Sequence, residues 1–286
     1  MTATSTATSA FRAAYGQAMA LWPVPVERLE LAGEFGTTRV NACGPAGAPP
    51  LVLLSGGGVT SAAWYAHAAG FGRAHRVYAV DLMGAPGLSV PAGRALRTPD
   101  DLTAWLDTVL DGLGLNATAL LGHSYGGWIA LRYAVHAPER VARLVLLDPT
   151  RCFAGYRASY LLRAAPLFLR PGEASTRRFL AWETRGGRPL APELVRLMGL
   201  GARDFRRART VTGPRPDVAR LGSAAPPALV LLAGRSRAHD PLRVAGEAER
   251  TLAGARIETL AGVGHHAMPE SEVAELGRLV TGFLAE

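Results

Sequence analysis

An apolar run, Ala119-Leu120-Leu121, passes directly into Gly122-His123-Ser124-Tyr125-Gly126-Gly127, and a helical pattern begins at once with Trp128. Strand, bend and helix must therefore follow one another within a few residues. Such a bend lifts the serine out of the sheet and leaves its hydroxyl accessible. Glycines two before and two after the serine leave room where a Cβ would collide with neighbouring backbone. The helix N-terminus then aims free N–H groups and its positive dipole end at the same place. A serine hydroxyl is a weak nucleophile unless a base reaches it, so Ser124 in this setting reads as a catalytic nucleophile.

The rest of the chain has the alternation that such a bend requires. Short apolar runs suited to buried parallel strands occur at 51–54, 77–80, 118–121, 143–147, 228–232 and 256–260, with a further strand at 40–42. Helical segments fall at 9–22, 61–73, 98–113, 126–137, 241–253 and 270–284. Strand alternating with helix predicts a mostly parallel, doubly wound sheet, with the active groups at the carboxyl ends of its strands. The alternation breaks after residue 150, where helical segments with Pro and Gly breaks replace it. Residues 151–221 are therefore expected to form a helical cap inserted in a core made of 1–150 and 222–286.

Charge is distributed unevenly. All 31 basic residues are arginine, for a net charge of +8. Residues 151–220 hold 15 arginines against five acids, whereas the remainder is close to neutral. A basic cap can attract an anionic substrate or an acidic carrier protein, although a solvated arginine-rich surface needs no partner. No nucleic-acid motif accompanies the charge, so nucleic acid is not an expected partner. No apolar run reaches the length of a membrane span, so no membrane partner is expected either. The start of the chain, Thr/Ser/Ala-rich with its first positive charge at Arg12, lacks the pattern of a secretory leader. Cys43 and Cys152 stand outside any metal-ligand spacing and read as small buried apolar residues, which suits a reducing cytoplasm.

The remaining parts of an acyl-transfer site follow in order. Gly262-Val263-Gly264-His265-His266 comes just after the last strand, where a histidine can reach Ser124 as general base. The Gly-x-Gly-His pattern favours His265, with His266 nearby in a supporting place. An oxyanion hole needs two backbone N–H groups. Tyr125, following the nucleophile, supplies one, and Gly57 in the Gly56-Gly57-Gly58 loop supplies the other. Neither metal nor organic cofactor is called for.

These motifs, together with Leu53 to Gly58, Trp64-Tyr65, Tyr78 to Gly84, Ala137 to Val141 and Leu147-Asp148-Pro149, make the chain resemble the α/β-hydrolases, in particular carboxylesterase-like bacterial enzymes. The resemblance runs from about Trp22 to the C-terminus. It implies the α/β-hydrolase fold and hydrolysis of an ester or related acyl bond, with a small-molecule acyl substrate. Two departures stand out. Ser55 occupies the place of a family histidine that supports the oxyanion loop. Arg237 stands three residues beyond Gly234, where the family usually carries its catalytic acid. The nearest acid downstream is Asp240, the first candidate for the third member of a Ser-His-Asp triad. It also suits an N-cap, since Pro241 follows it. Asp148, after the strand that follows the nucleophile helix, is the alternative acid. Asp81 reads as loop-shaping. The departures leave open a second class of function, a catalytically weakened binding or accessory protein that keeps the pocket.

Overall fold

The computed structural model describes residues 7–208 and 210–286. The first six residues, which carry part of the leader argument, and Arg209 of the basic segment lie outside that range. Helix α1 (Ser9–Met19) starts where the Thr8 hydroxyl accepts the Phe11 N–H. An antiparallel hairpin follows, β1 (Glu27–Gly33) and β2 (Gly36–Cys43). β3 (Pro50–Leu54), α2 (Tyr65–Phe71) and β4 (Arg76–Val80) form the first parallel crossover. A short β5 (Val90–Pro91) pairs with β2. Then come α3 (Pro99–Gly112), β6 (Thr118–His123), α4 (Tyr125–His136) and β7 (Val141–Leu147). The inserted segment holds α5 (Ala158–Leu169), α6 (Glu173–Glu183) and α7 (Pro192–Asp204). β8 (Ala228–Ala233), α8 (Pro241–Thr251), β9 (Arg256–Leu260) and α9 (Val273–Ala285) complete the described chain.

The sheet order is β1-β2-β4-β3-β6-β7-β8-β9, parallel from β4 to β9 and antiparallel on both sides of β2. This is the α/β-hydrolase architecture. The chain builds outward from β3 to β4, then returns to lay β6 on the other side of β3. The carboxyl ends of β3 and β6 therefore lie side by side where the winding reverses, which is where open sheets of this kind place their sites. β3 ends in the Ser55 to Gly58 loop and β6 ends at Ser124.

Alternation along the strands divides the core. Leu51, Leu53, Leu121, Val145 and Leu231 face Phe11, Trp64, Phe71 and Phe283 from α1, α2, α9 and the turn before α2. Val52, Leu54, Leu120, Leu146 and Val230 face Trp105, Leu106, Ile129 and Val244 from α3, α4 and α8. Both faces of the parallel strands are covered, which is why those strands read as continuous apolar runs.

One strand goes unread in the sequence and one local expectation is corrected. The hairpin strand β1 is an exposed edge in which Glu27, Arg28 and Glu30 break up an apolar run around Leu29 and Leu31. The helix expected over 61–73 is a 3-10 turn at Ser61–Trp64 followed by the shorter α2. The inserted segment is held to the core by α7, whose Leu194, Leu197 and Leu200 join the cluster containing Phe11 and Tyr15. Cys43 and Cys152 are both buried and free.

Candidate active site

Ser124 sits between β6 and α4 with φ 53° and ψ −115°, a left-handed conformation that a non-glycine residue adopts only under constraint. The constraint is close packing. A Cβ on Gly122 would stand 2.3 Å from the Gly126 carbonyl oxygen, and a Cβ on Gly126 would stand 2.2 Å from the Leu54 oxygen. Strand, helix and the end of β3 can meet only because both positions lack side chains. Hydrogen bonds fix the bend, since the Ser124 N–H donates to the Leu147 oxygen at 3.0 Å and the Ser124 oxygen accepts from Trp128 N–H.

His265 Nε2 lies 2.9 Å from Ser124 Oγ, and His265 Nδ1 lies 2.6 Å from Asp148 Oδ2. All three residues are buried. Asp148 follows β7, the strand beside β6, with φ 39°. Its carboxylate also accepts the Ala233 N–H at 3.0 Å, the Ser236 hydroxyl at 2.8 Å and His239 Nε2–H at 2.9 Å. Burial acts to raise the Asp148 pKa, but hydrogen bonds from His239 and His265 outweigh it and hold the carboxyl well below its ordinary range. Burial lowers the His265 pKa below its usual value, with Asp148 opposing. The resting pair is thus an ionised Asp148 beside a neutral His265. Nδ1–H then donates to the carboxylate and Nε2 is free to accept the serine proton.

Asp240, the first candidate from sequence for the acid, is not brought to the histidine. Its Oδ1 accepts the N–H groups of Leu242 and Arg243 at the start of α8, and its Oδ2 is 3.5 Å from Arg157 Nη2. Pro241 at the first helical position directs Asp240 to capping, so its carboxylate turns outward. Arg237 lies over the Trp182 ring at 5.0 Å. The neighbouring Ser236 is the residue that reaches the Asp148 carboxylate.

The Ser55 to Thr60 turn lies against Ser124 and Tyr125. A Cβ on Gly56 would stand 3.4 Å from Ser124 Cβ, and one on Gly57 would stand 3.6 Å from Tyr125 Cβ. Ser55 Oγ–H donates to the Thr60 oxygen at 3.1 Å, closing the turn from within. Gly58 has φ 75°, a conformation that favours glycine. Tyr125 opens α4, where a backbone N–H has no acceptor inside the helix.

Four contributors were not legible as site residues in the sequence. His123 Nε2–H donates to the His265 oxygen at 3.0 Å, and burial lowers the His123 pKa to about 3, so the ring is neutral. Glu183, the last residue of α6, accepts the His265 N–H at 3.0 Å and the His266 N–H at 3.2 Å. His239 and Ser236 complete the set around Asp148. Glu183 had one available signal, as the lone acid between residues 174 and 192 in an arginine-rich stretch. His266 packs against Tyr160 and Phe179 of the inserted helices. Asp81 accepts the N–H groups of Ser61 and Leu88 and so ties two loops together.

Comparison with known proteins agrees with this architecture. A family model described as "Alpha/beta hydrolase family" matches residues 51–276. The carboxylesterase YbfK of Bacillus subtilis is 36% identical over 191 residues, which span 67% of this chain and 63% of that protein. The uncharacterized carboxylesterase nap of the same organism is 29% identical over 281 residues, 95% of this chain and 91% of the relative. Among solved structures, carboxylesterase CesB (YbfK) from Bacillus subtilis superposes with a TM-score of 0.88 at 30% identity, covering 96% of each chain. The naproxen esterase from Bacillus subtilis superposes with a TM-score of 0.86 at 27% identity, covering 96% of this chain and 97% of that one.

Proposed function

The chain belongs to the alpha/beta hydrolase family, and on that premise we propose that it hydrolyses carboxylic esters through a Ser124-His265-Asp148 triad. The observation that carries the reading is the unbroken line from Ser124 Oγ to His265 Nε2 at 2.9 Å and from His265 Nδ1 to Asp148 Oδ2 at 2.6 Å. Ser124 Oγ attacks the ester carbonyl carbon while its proton passes to His265 Nε2. The imidazolium so formed is stabilised by Asp148. The tetrahedral oxyanion is held by the N–H groups of Tyr125 and Gly57. The C–O bond to the leaving alcohol breaks, the alcohol departs with the Nε2 proton, and the acyl group stays on Ser124. Water then gives a proton to Nε2 and attacks the acyl carbon, which frees the carboxylic acid and restores the serine.

Residues 151–221 act in this proposal as a cap over the serine, with α6 and α7 fastening it to the histidine loop and to α1. The two free, buried cysteines accord with a reducing cytoplasm. The Ser55 and Arg237 departures, which motivate an accessory binding protein, have replacements in the site: the turn is closed through Thr60, and Asp148 stands beside the histidine.

The test is labelling of the folded protein with a fluorophosphonate, locating the adduct by peptide mass spectrometry. Labelling at Ser124 that persists in Asp240→Asn and falls sharply in Asp148→Asn is the expected result. A folded wild type that does not label overturns the hydrolase reading in favour of the binding protein.

A further inference from the structure

Helix α5 presents an apolar face to solvent. Leu161, Leu162, Phe168 and Leu169 are 53%, 75%, 82% and 79% exposed. At about 100° per residue these four side chains fall within an arc of about 120°, and Ala158 and Ala165 fill the positions between them. Only Ala164 of the helix is fully buried. Among the described residues, the other exposed large hydrophobic side chains, Val90 and Leu242, belong to β5 and α8. A contiguous apolar face of this kind on a soluble surface marks a contact with something else.

The surrounding charge identifies the occupant. Arg157 and Arg170 flank the two ends of α5 and are exposed, as are Arg177 and Arg178 on α6. The 151–220 segment as a whole carries 15 arginines against five acids. Of those acids, Glu183 is buried against the His265 and His266 N–H groups, so it does not offset the exposed arginines. A second copy of the chain docking face to face would bring two such arginine-rich segments together, which like-charge repulsion opposes. An apolar helical face bordered by arginines fits the boundary of an anionic lipid layer, where side chains enter the acyl region and guanidinium groups meet the headgroups.

We propose that α5 docks the protein peripherally on an anionic lipid surface. Among the described residues no helix is long and apolar enough to cross a membrane, and surface contact requires none. The opposite face of α5 carries Tyr160, whose ring is edge-on to His265 at 6.3 Å and stacked on His266 at 6.3 Å. Lipid contact is thus one helix thickness from the catalytic histidine. If the hydrolase reading above holds, docking places the site against esters dissolved in lipid. That consequence rests on the reading, whereas the docking itself is measured without turnover.

The experiment is co-sedimentation of the full chain with vesicles of phosphatidylglycerol and phosphatidylcholine, and with vesicles of phosphatidylcholine alone. Wild type is expected to partition at least about tenfold more strongly onto the anionic vesicles, with the preference collapsing in high salt. Leu162→Ser, Phe168→Ser and Leu169→Ser combined is expected to weaken partitioning about tenfold or more while cleavage of a short soluble ester is unchanged. Arg170→Gln, Arg177→Gln and Arg178→Gln combined is expected to lose the anionic preference, an independent test should the apolar variant misfold. No partitioning of wild type at low salt overturns the proposal. So does equal partitioning of wild type and both variants. A wild-type dimer by light scattering that the apolar variant converts to monomer also overturns it, because a second copy then covers the face.

Discussion

Glu183, at the end of α6, accepts the backbone N–H of His265 at 3.0 Å, so α6 holds the backbone of the proposed catalytic base. From the opposite side His123 donates to the His265 oxygen. The histidine is therefore clamped at both backbone groups, by one residue from the core and one from the insertion. Burial acts to raise the Glu183 pKa, but interactions with His266 and His265 outweigh it and hold the carboxyl below its ordinary value.

Glu183→Gln keeps one acceptor and turns an NH2 group toward the other backbone N–H. The expected outcome is a fall in kcat of about tenfold with little change in KM, because the base is displaced while the acyl pocket remains. Glu183→Ala strands the buried His265 N–H and the part-buried His266 N–H and should also cost about 1–3 kcal/mol of stability, mostly through the former. Steady-state kinetics on a short ester, paired with urea denaturation, checks both. An unchanged kcat in Glu183→Gln would remove the positioning role.

The two aspartates separate cleanly. Asp148→Asn should lower kcat by about 10⁴-fold, through loss of the imidazolium partner and of the correct tautomer. Asp240→Asn keeps a capping oxygen and should leave kcat within about twofold, and Asp240→Ala should cost about 1 kcal/mol as the cap of α8 is lost. Arg237→Asp should bring no gain in rate, since that side chain lies over Trp182 and the place beside His265 Nδ1 is filled. A rate that follows Asp240 instead would reverse the assignment.

The elbow tolerates no added methyl. Gly122→Ala and Gly126→Ala each force a Cβ to within 2.3 Å of a backbone oxygen. Neither neighbour is a flexible side-chain end, so the strand–helix junction must move. Thermal and urea melts should show a loss of at least about 2 kcal/mol for each variant. Gly262→Ala is the control, because no atom stands within 4 Å of its added Cβ.

Acid affects activity through His265 and stability through every buried histidine whose pKa burial lowers. The proposed hydrolysis needs neutral His265, whose pKa burial lowers. The acid limb of kcat/KM should accordingly lie below pH 6.5. Among the buried histidines, His67 and His123 have pKa values that fall to about 4 and about 3, with desolvation the first cause in each. Above the ordinary histidine value near 6.5 neither folded nor unfolded chain is protonated there, and stability is full. As pH falls toward 4 the unfolded chain binds protons that the folded one refuses. Each histidine then costs about 1 kcal/mol per pH unit. Denaturant midpoints between pH 7 and pH 4.5 test this, and a flat profile would contradict it. His67→Phe should flatten part of the slope.

Local chemistry determined much of this protein before any contact was known. The glycines around Ser124 require a bend whatever surrounds it, the apolar runs require buried parallel strands, and Gly-x-Gly-His allows a mobile approach of His265 to the serine. These features are short-range, so they are written in consecutive residues. The acid of the proposed triad was not legible in the same way. Asp148 and Asp240 each follow a strand and precede a proline, and spacing favoured Asp240. The choice between them depends on the register of β7 against β8, which brings Ala233, Ser236 and His239 around Asp148. It depends equally on Pro241, which commits Asp240 to its helix. The clamp of Glu183 on His265, across 82 residues, and the exposed face of α5 belong to the same class. An amphipathic pattern names two faces of a helix, and only packing decides which of them is covered.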